Sequence, residues 1–378
     1  MATEWQWHYL AEDLTESALD SGTLRLKLPE REQISVIDIE IHATRATGNY
    51  DDCMVDILDK IEVIADGSSV LYSMSPETAA YAHFIAIRSL PTMLHTTYPG
   101  LEDTYRTKVC FGRYERDVDY MLDTSVYDNV YLEIPWTLNT TDFTTHTFTY
   151  TIRYLRPIQK LSPRGFIRSR DIEYGSHAWT ATGHYTVDLP LTYPWYMLGA
   201  RIYDIDHDLV TDIPHIKLDI DDGRLVLVDE DTDDIIRDNA ERLPYPIHTI
   251  WEKLCSGGAD QYVRTYMGRT AEVNASVYDE TLQGFVHLDD KENAQRVKYS
   301  SFDHAGVACP TGVNMSIWGQ AYMCCIIIKD WWLNWYEPVP HEPFDVTAHN
   351  SATLDFEHAA LTVDDLRVFL QEICPLKI

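Results

Sequence analysis

Basic charge is scarce in this chain: 30 Lys and Arg stand against 60 Asp and Glu over 378 residues, a formal net charge of -30. Phosphate backbones are gripped by clustered Lys and Arg, so the balance argues against a direct nucleic-acid surface and against a histone-like or polymerase-like role. Lysine is the scarcer base, 10 residues beside 20 Arg, and Asp outnumbers Glu. A surface rich in Asp and poor in Lys stays hydrated where salt screens its self-repulsion, which predicts a saline habitat. The seven cysteines (Cys53, Cys110, Cys255, Cys309, Cys324, Cys325 and Cys374) are odd in number and contain no C-x-x-C pair. Neither a zinc site nor a disulfide framework is suggested, and buried free thiols are expected.

Signal and catalytic motifs are missing as well. The opening MATEWQWHYLAEDL has no basic stretch followed by an apolar one, and no run of about 18 apolar residues occurs, so neither a signal peptide nor a membrane-spanning helix is expected. There is no G-x-S-x-G, H-E-x-x-H, phosphate loop or dinucleotide fingerprint. The acid runs DIDHD (204–208), DIDD (219–222) and DEDTDD (229–234) alternate Asp as calcium loops do, but none has glycine at the sixth place together with Glu at the twelfth. They are read as solvated loops or helix starts. No catalytic, cofactor-binding or metal-ligating residue is therefore assigned, no cofactor is expected, and the chain is read as not an enzyme.

What is present is a core. Hydrophobic residues make up 45% of the chain and Tyr alone numbers 24, too many for an unfolded polymer, and the length suggests two domains. Period-two alternation marks half-buried strands: Ile37, Ile39 and Ile41 between Asp38, Glu40 and His42, and Phe148, Tyr150, Ile152 and Tyr154 between Thr and Arg. MVDILDKIEVI, RTKVCFGRY and NVYLEIPWTL in the first half, and QYVRTYMG, EVNASVYDE, GFVHLDD and RVKYSSF in the second, are also β-compatible.

One pattern occurs twice. IEVIADGSSVLYSMSPETAAY (61–81) predicts a hairpin turning at Asp66-Gly67, then a helix capped by Ser75, with Pro76 at its first position and Glu77 at the positive dipole end, running to about Leu90. From Lys217, 156 positions on, KLDIDDGRLVLVDEDTDDIIR repeats it: Asp222-Gly223 turns, Asp231 caps, Thr232 replaces Pro76, and the helix continues toward Pro244. Between the halves lies PIQKLSPRGFIRSRDIEYG, read as a linker and carrying Arg156, Lys160, Arg164, Arg168 and Arg170; pairing of these bases with acidic neighbours is preferred over an inward face toward lipid or genome. YMCCIIIKDWWLNWYEPV is read as the closing strand of the second half. TVDDLRVFLQEICPL places Leu366, Phe369, Leu370 and Ile373 at helical spacing and predicts a short amphipathic C-terminal helix. Aromatic groups at Trp5, Trp7, Tyr9 and at Trp331, Trp332, Trp335, Tyr336 are read as packing or interface edges, with sugar stacking or a lipid contact as the alternatives. Sequons stand at Asn139, Asn274 and Asn314.

Two all-β units in tandem, each with a helix after an equivalent hairpin, resemble the double jelly-roll major capsid proteins of membrane-containing icosahedral bacterial or archaeal viruses. The resemblance rests on IEVIADGSSVLYSMSPETAAY and its echo IKLDIDDGRLVLVDEDTDDIIRDN. It implies an all-β fold of two eight-stranded jelly rolls, at 32–156 and 181–339, flanked by an N-terminal segment 1–31, a linker 157–180 and a tail 340–378 that carries the C-terminal helix. It also implies a homotrimer of hexagonal outline, since six similar wedges tile a hexagonal lattice and fusing two per chain leaves three subunits. The partners it implies are neighbouring capsomers, minor capsid or penton proteins and an internal membrane reached through termini or linker; its location is the virion, after assembly in the host cytoplasm. A carbohydrate-binding or glycan-processing double jelly roll is the alternative reading.

Overall fold

The computed structural model describes residues 3–17, 21–45, 54–89, 91–94, 100–137, 143, 147–203, 212–242, 248–256, 261–264, 268–278, 285–290, 296–302, 313–323, 325–330, 343–360 and 362–376. In chain order the first half carries β1 (Trp5–Ser17), β2 (Ser21–Lys27), β3 (Gln33–Ile34), β4 (Val36–Thr44), α1 (Met54–Ile57), β5 (Ile61–Ala65), β6 (Ser69–Met74), α2 (Pro76–Ile87), β7 (Thr92–Leu94), β8 (Glu102–Cys110), β9 (Leu122–Asp123), β10 (Val130–Thr137) and β11 (Thr147–Pro157). The second half carries β12 (Gly165–Ala178), β13 (Gly183–Asp188), β14 (Trp195–Tyr203), β15 (His215–Ile220), β16 (Leu225–Asp231), α3 (Thr232–Arg242), β17 (His248–Ser256), β18 (Gln261–Arg264), β19 (Gly268–Tyr278), β20 (Phe285–Asp290), β21 (Arg296–Phe302), β22 (Val313–Met323), β23 (Cys325–Asp330), β24 (Ala352–His358) and β25 (Thr362–Pro375).

The sheets form two jelly rolls. In the first, the order β1-β11-β4-β8-β7 faces β2-β10-β5-β6, and in the second β12-β25-β14-β23 faces β13-β24-β15-β16. The alternation read from sequence supplies the cores: Ile37, Ile39 and Ile41 of β4, Phe148 and Ile152 of β11, and Leu132 and Ile134 of β10 meet in one cluster. Leu198, Ile216, Leu218, Leu354, Phe356 and Val368 meet in the other. Each such side chain contributes about 1.5–3 kcal/mol when fully buried.

The repeated pattern has the predicted form in both rolls. Asp66 and Gly67 take φ of 51° and 75°, and Asp221, Asp222 and Gly223 take 53°, 54° and 88°, the left-handed values that a tight hairpin needs and glycine tolerates. Helices begin at Pro76 and at Thr232, 156 positions apart. The Ser75 hydroxyl accepts from Thr78 N–H at 3.3 Å, and Arg88 in the left-handed region (φ 62°) ends α2 two residues before the expected Leu90. In the second roll Asp231 precedes the helix, but its carboxylate lies against His215 Nδ1 at 2.9 Å.

Three flanking segments differ from expectation. Residues assigned to an N-terminal segment form β1 and β2, the opening strands of the first roll's two sheets. The stretch read as a linker is β12, the first strand of the second roll, paired over most of its length with β25. The C-terminal helix is not formed: Thr362–Pro375 is strand β25, the central partner of β12 and β14. The cause is burial on both faces. Leu366, Val368 and Leu370 point into the second core while Phe369 and Cys374 point into the first, so the apolar residues form a continuous run that mimics helical spacing. The second roll accordingly closes with β25, whereas the Cys325–Asp330 part of the expected closing strand is β23, the last strand of its sheet. Strands β17 to β22 sit in the connection between α3 and β23 as two three-stranded sheets, outside the rolls' facing sheets.

Candidate assembly site at the seam of the two rolls

The two rolls share one sheet. Strand β6, the second arm of the first hairpin, pairs in parallel with β12 through Tyr72↔Ser169 and Ser73↔Arg170, fusing four strands of each roll into an eight-stranded sheet. The first roll's core continues across this seam, taking in Phe166, Tyr196, Met197, Ile327 and Phe369 from the second half. Gly199 on β14 leaves room for the ring of its β25 partner Phe369, which packs in this core: a Cβ there would stand 2.2 Å from Phe369 Cζ. The result is a shared core across the seam, with residues 158–164 as the short connection from β11 to β12.

Ion pairs fasten the same seam. Glu372, fully buried on β25, accepts from Arg168 Nε and Nη2 at 3.0 and 2.7 Å and from Arg170 Nε at 3.0 Å. A lone buried carboxylate would be strongly penalised, so these three charge-assisted hydrogen bonds from two arginines are what make it tolerable. Asp171 accepts from the Ser75 N–H at 2.8 Å, and Arg201 lies 3.5 Å from Glu77, tying the start of α2 to β12 and β14. Beside the Glu372 clamp is a cavity of about 710 Å³ lined by Tyr127, Phe166, Tyr193 and Arg168 among others, with the Arg168 guanidinium 4.9 Å from the Tyr193 ring centroid.

The basic island is thus used internally. Arg168 and Arg170 hold Glu372, and Arg156 Nη1 reaches both Glu32 oxygens at 2.8 Å, the acidic pairing preferred from sequence. Lys160 and Arg164 fall between β11 and β12. Trp5 and Trp7 pack on Val36, Ala86 and Leu155, and Arg153 stacks over Trp7 at 4.6 Å, so they serve as packing, while Tyr9 stays 55% exposed. Trp331, Trp332, Trp335 and Tyr336 lie outside the described residues, as do Asn139 and the 204–208 acid run; Asn274 and Asn314 fall on β19 and β22. Cys110 and Cys374 are free and buried, and burial pushes the Cys374 thiol up to about 12. Among the described residues no group of three His, Cys, Asp or Glu is placed to hold a metal, and no helix is long and apolar enough to cross a membrane.

A second device was not read from the sequence. Asp66 Oδ1 accepts from Asp128 N–H at 2.8 Å while Asp66 N–H donates to Asn129 O at 2.8 Å. In the second roll Asp221 Oδ1 accepts from Asn350 N–H at 2.7 Å while Asp221 N–H donates to Ser351 O at 3.0 Å. Each turn aspartate therefore pins the loop that enters β10 or β24. The duplicated DG turns carried that signal, but its partner loop, some 60 residues away in one roll and 130 in the other, has no local mark.

No protein-family model matches the sequence, and no curated protein matches it closely enough to count as a relative. Solved structures do match. The STIV MCP is similar over 99% of this chain and 97% of its own, with a TM-score of 0.56 and 10% identity. The atomic structure of Sulfolobus Turreted Icosahedral Virus is similar over 99% of this chain and 91% of its own, at 0.53 and 11%. The major capsid protein P2 from bacteriophage PM2 is similar over 98% of both chains, at 0.50 and 9%. The chain has, over nearly its whole length, the double jelly-roll fold of these viral major capsid proteins.

Proposed function

We propose that this protein is the major shell subunit of an icosahedral virus, a structural protein whose work is done by its interfaces rather than by catalysis. The observation that carries the reading is the eight-stranded sheet: a capsomer of hexagonal outline needs two wedges held rigidly in one chain, and β6·β12 with the Glu372 clamp supplies that rigidity. On this reading the functional rolls span 5–157 and 165–375, three chains form the capsomer, and neighbouring capsomers and minor or penton proteins are the further partners. An internal lipid layer would be reached through loops, because β1 and β25 are held in sheets. The mature location is the virion, following assembly in the host cytoplasm. The formal charge of -30 favours assembly at high salt, where repulsion between subunits is screened.

Light scattering on the purified protein tests this. A trimer at molar salt that dissociates on dilution into low salt is expected. A stable monomer at all salt concentrations, particularly one that retains glycans in the seam cavity, would sink the shell reading in favour of a sugar-binding one.

A further inference from the structure

Inside the chain the rolls meet through one defined contact: the second arm of the first hairpin, β6, against the first strand of the second roll, β12. Each of these strands has a counterpart. Strand β16 is the second arm of the other hairpin, and β1 is the first strand of the other roll. Both counterparts are sheet edges: β16 pairs with β15 on one side, β1 with β11 on one side, and neither has a second strand neighbour among the described residues. An unpaired edge of this kind is a template for another strand.

The counterparts match in detail. Against the closing strand of its roll, β1 shifts register at Tyr9/Ala11 and again at Ala11/Leu14, and β12 shifts twice likewise, at Asp171/Glu173 and Gly175/His177. Counting back from the first shift, Trp7 and His8 stand where Ser169 and Arg170 stand. Counting 156 on from Tyr72 and Ser73 gives Val228 and Asp229, and both pairs point alike: Tyr72 and Val228 are buried in their cores while Ser73 and Asp229 face outward. The two edges also concentrate exposed apolar surface. Among the described residues eight large hydrophobic residues stand exposed, and four of them lie on these strands: Tyr9 (55%), Leu14 (46%), Leu225 (37%) and Val226 (40%). Isolated exposed apolar residues are ordinary, but a cluster on two open edges marks a contact.

We propose that β16 of one copy pairs in parallel with β1 of the next, Val228 beside Trp7 and Asp229 beside His8, repeating between chains the contact that β6 and β12 make within one. The partner is a second copy of this chain. The interface is head-to-tail, because each copy offers one edge of each kind, and such a contact builds a ring when its rotation closes. In the trimer proposed above, three chains supply six rolls, and this pairing makes the steps between chains like the step within one. The inference rests on the trimeric reading above and names the surfaces that make it.

Cysteine pairs treated with a short bismaleimide test the pairing. His8→Cys combined with Asp229→Cys in one chain is expected to give covalent dimers and closed trimers on denaturing gels, whereas either substitution alone stays at the background set by the native cysteines. A protein that sediments as a trimer yet shows no cross-link in the double variant overturns the pairing and leaves the trimer standing; cross-linking by one cysteine alone also overturns it, since that requires like edges to meet. A protein that is monomeric throughout overturns both. Should the cysteine variants fold poorly, Leu14→Lys and Val226→Lys provide an independent readout. Each is expected to lose the trimer while keeping the far-ultraviolet spectrum of the fold, and Val118→Lys, exposed but on neither edge, is expected to retain it. A trimer that survives both edge charges overturns the proposal.

Discussion

Replacing Glu372 with Gln removes the one carboxylate that two seam arginines share. Its oxygens lie 2.7–3.0 Å from Arg168 and 3.0 Å from Arg170, and Glu372 itself is fully buried. Breaking a buried ion pair by deleting one partner costs about 3–5 kcal/mol, because the surviving charge is left uncompensated. Here the survivors are partly wet, with Arg168 and Arg170 side chains 17% and 27% exposed, so solvent screens some of the loss and about 2–4 kcal/mol is expected. For a cooperative unit of about 200 residues, 1 kcal/mol moves the melting temperature by roughly 2–4 °C, which predicts a fall on the order of 4–16 °C. Thermal unfolding followed by circular dichroism at fixed salt measures it. The decisive comparison is the all-apolar triple variant, Glu372→Met with Arg168→Met and Arg170→Met. It should recover most of the loss, since replacing a whole buried cluster by packed apolar groups is often neutral. A Glu372→Gln protein within about 1 kcal/mol of the native one would refute the view that this cluster fastens the seam. So would a triple variant less stable than the single one.

Two further outcomes follow from neighbouring packing. Gly199→Ala drives a methyl against Phe369, at 2.2 Å from Cζ before any adjustment, and should cost about 1–3 kcal/mol or more in urea unfolding; Phe369→Leu in the same chain should return part of it, and additive losses would refute the clash. His83 is buried, with Lys108 N–H donating to its Nδ1 at 3.0 Å, and burial together with the Lys108 charge pulls its pKa to about 3. The unfolded chain then binds a proton near pH 6.5 that the folded chain refuses. This contribution is therefore fully present above that pH and is lost as pH falls toward 3, by roughly 1.4 kcal/mol per unit. His83→Asn should flatten the stability curve between pH 6 and 4 by about that slope, and parallel curves would refute it.

What the sequence disclosed depended on how local the cause was. The hairpin, its left-handed turn residues and the cap at Ser75 are fixed within about ten residues, so pattern and propensity agree and both copies were legible. Strand β25 was not, because its character is set by neighbours far away in the chain. Phe369 finds its place only because Gly199 is opposite, and Glu372 only because Arg168 and Arg170 lie on β12, more than 200 positions earlier. The same cause hid the linker's identity: Arg168 and Arg170 looked like a basic island because their counter-charge comes from the other end of the chain.

That divide also explains why the two halves keep one hairpin in common and little else. A jelly roll closes when its hairpin arm and first strand both find places, and each half solves the second requirement with different residues: Ser169 and Arg170 on β12 face β6, whereas β1 presents Trp7, His8 and the exposed Tyr9. Within the chain the arm β6 is covered and its outward residue is the small Ser73; in the second roll the equivalent position is Asp229 and the strand stays open. Divergence concentrated at equivalent edges, with the turn and the helix start held constant, is what two copies of one wedge require when one edge must join permanently and the other must join only on assembly. The joined arm β6 itself carries no charged residue, and its outward Ser73 stands beside Arg170 of β12. The open edge must carry enough charge, as Asp229, Glu230 and Asp231 do, to keep the free subunit from pairing indiscriminately, and enough apolar surface, at Leu225 and Val226, to favour the intended neighbour.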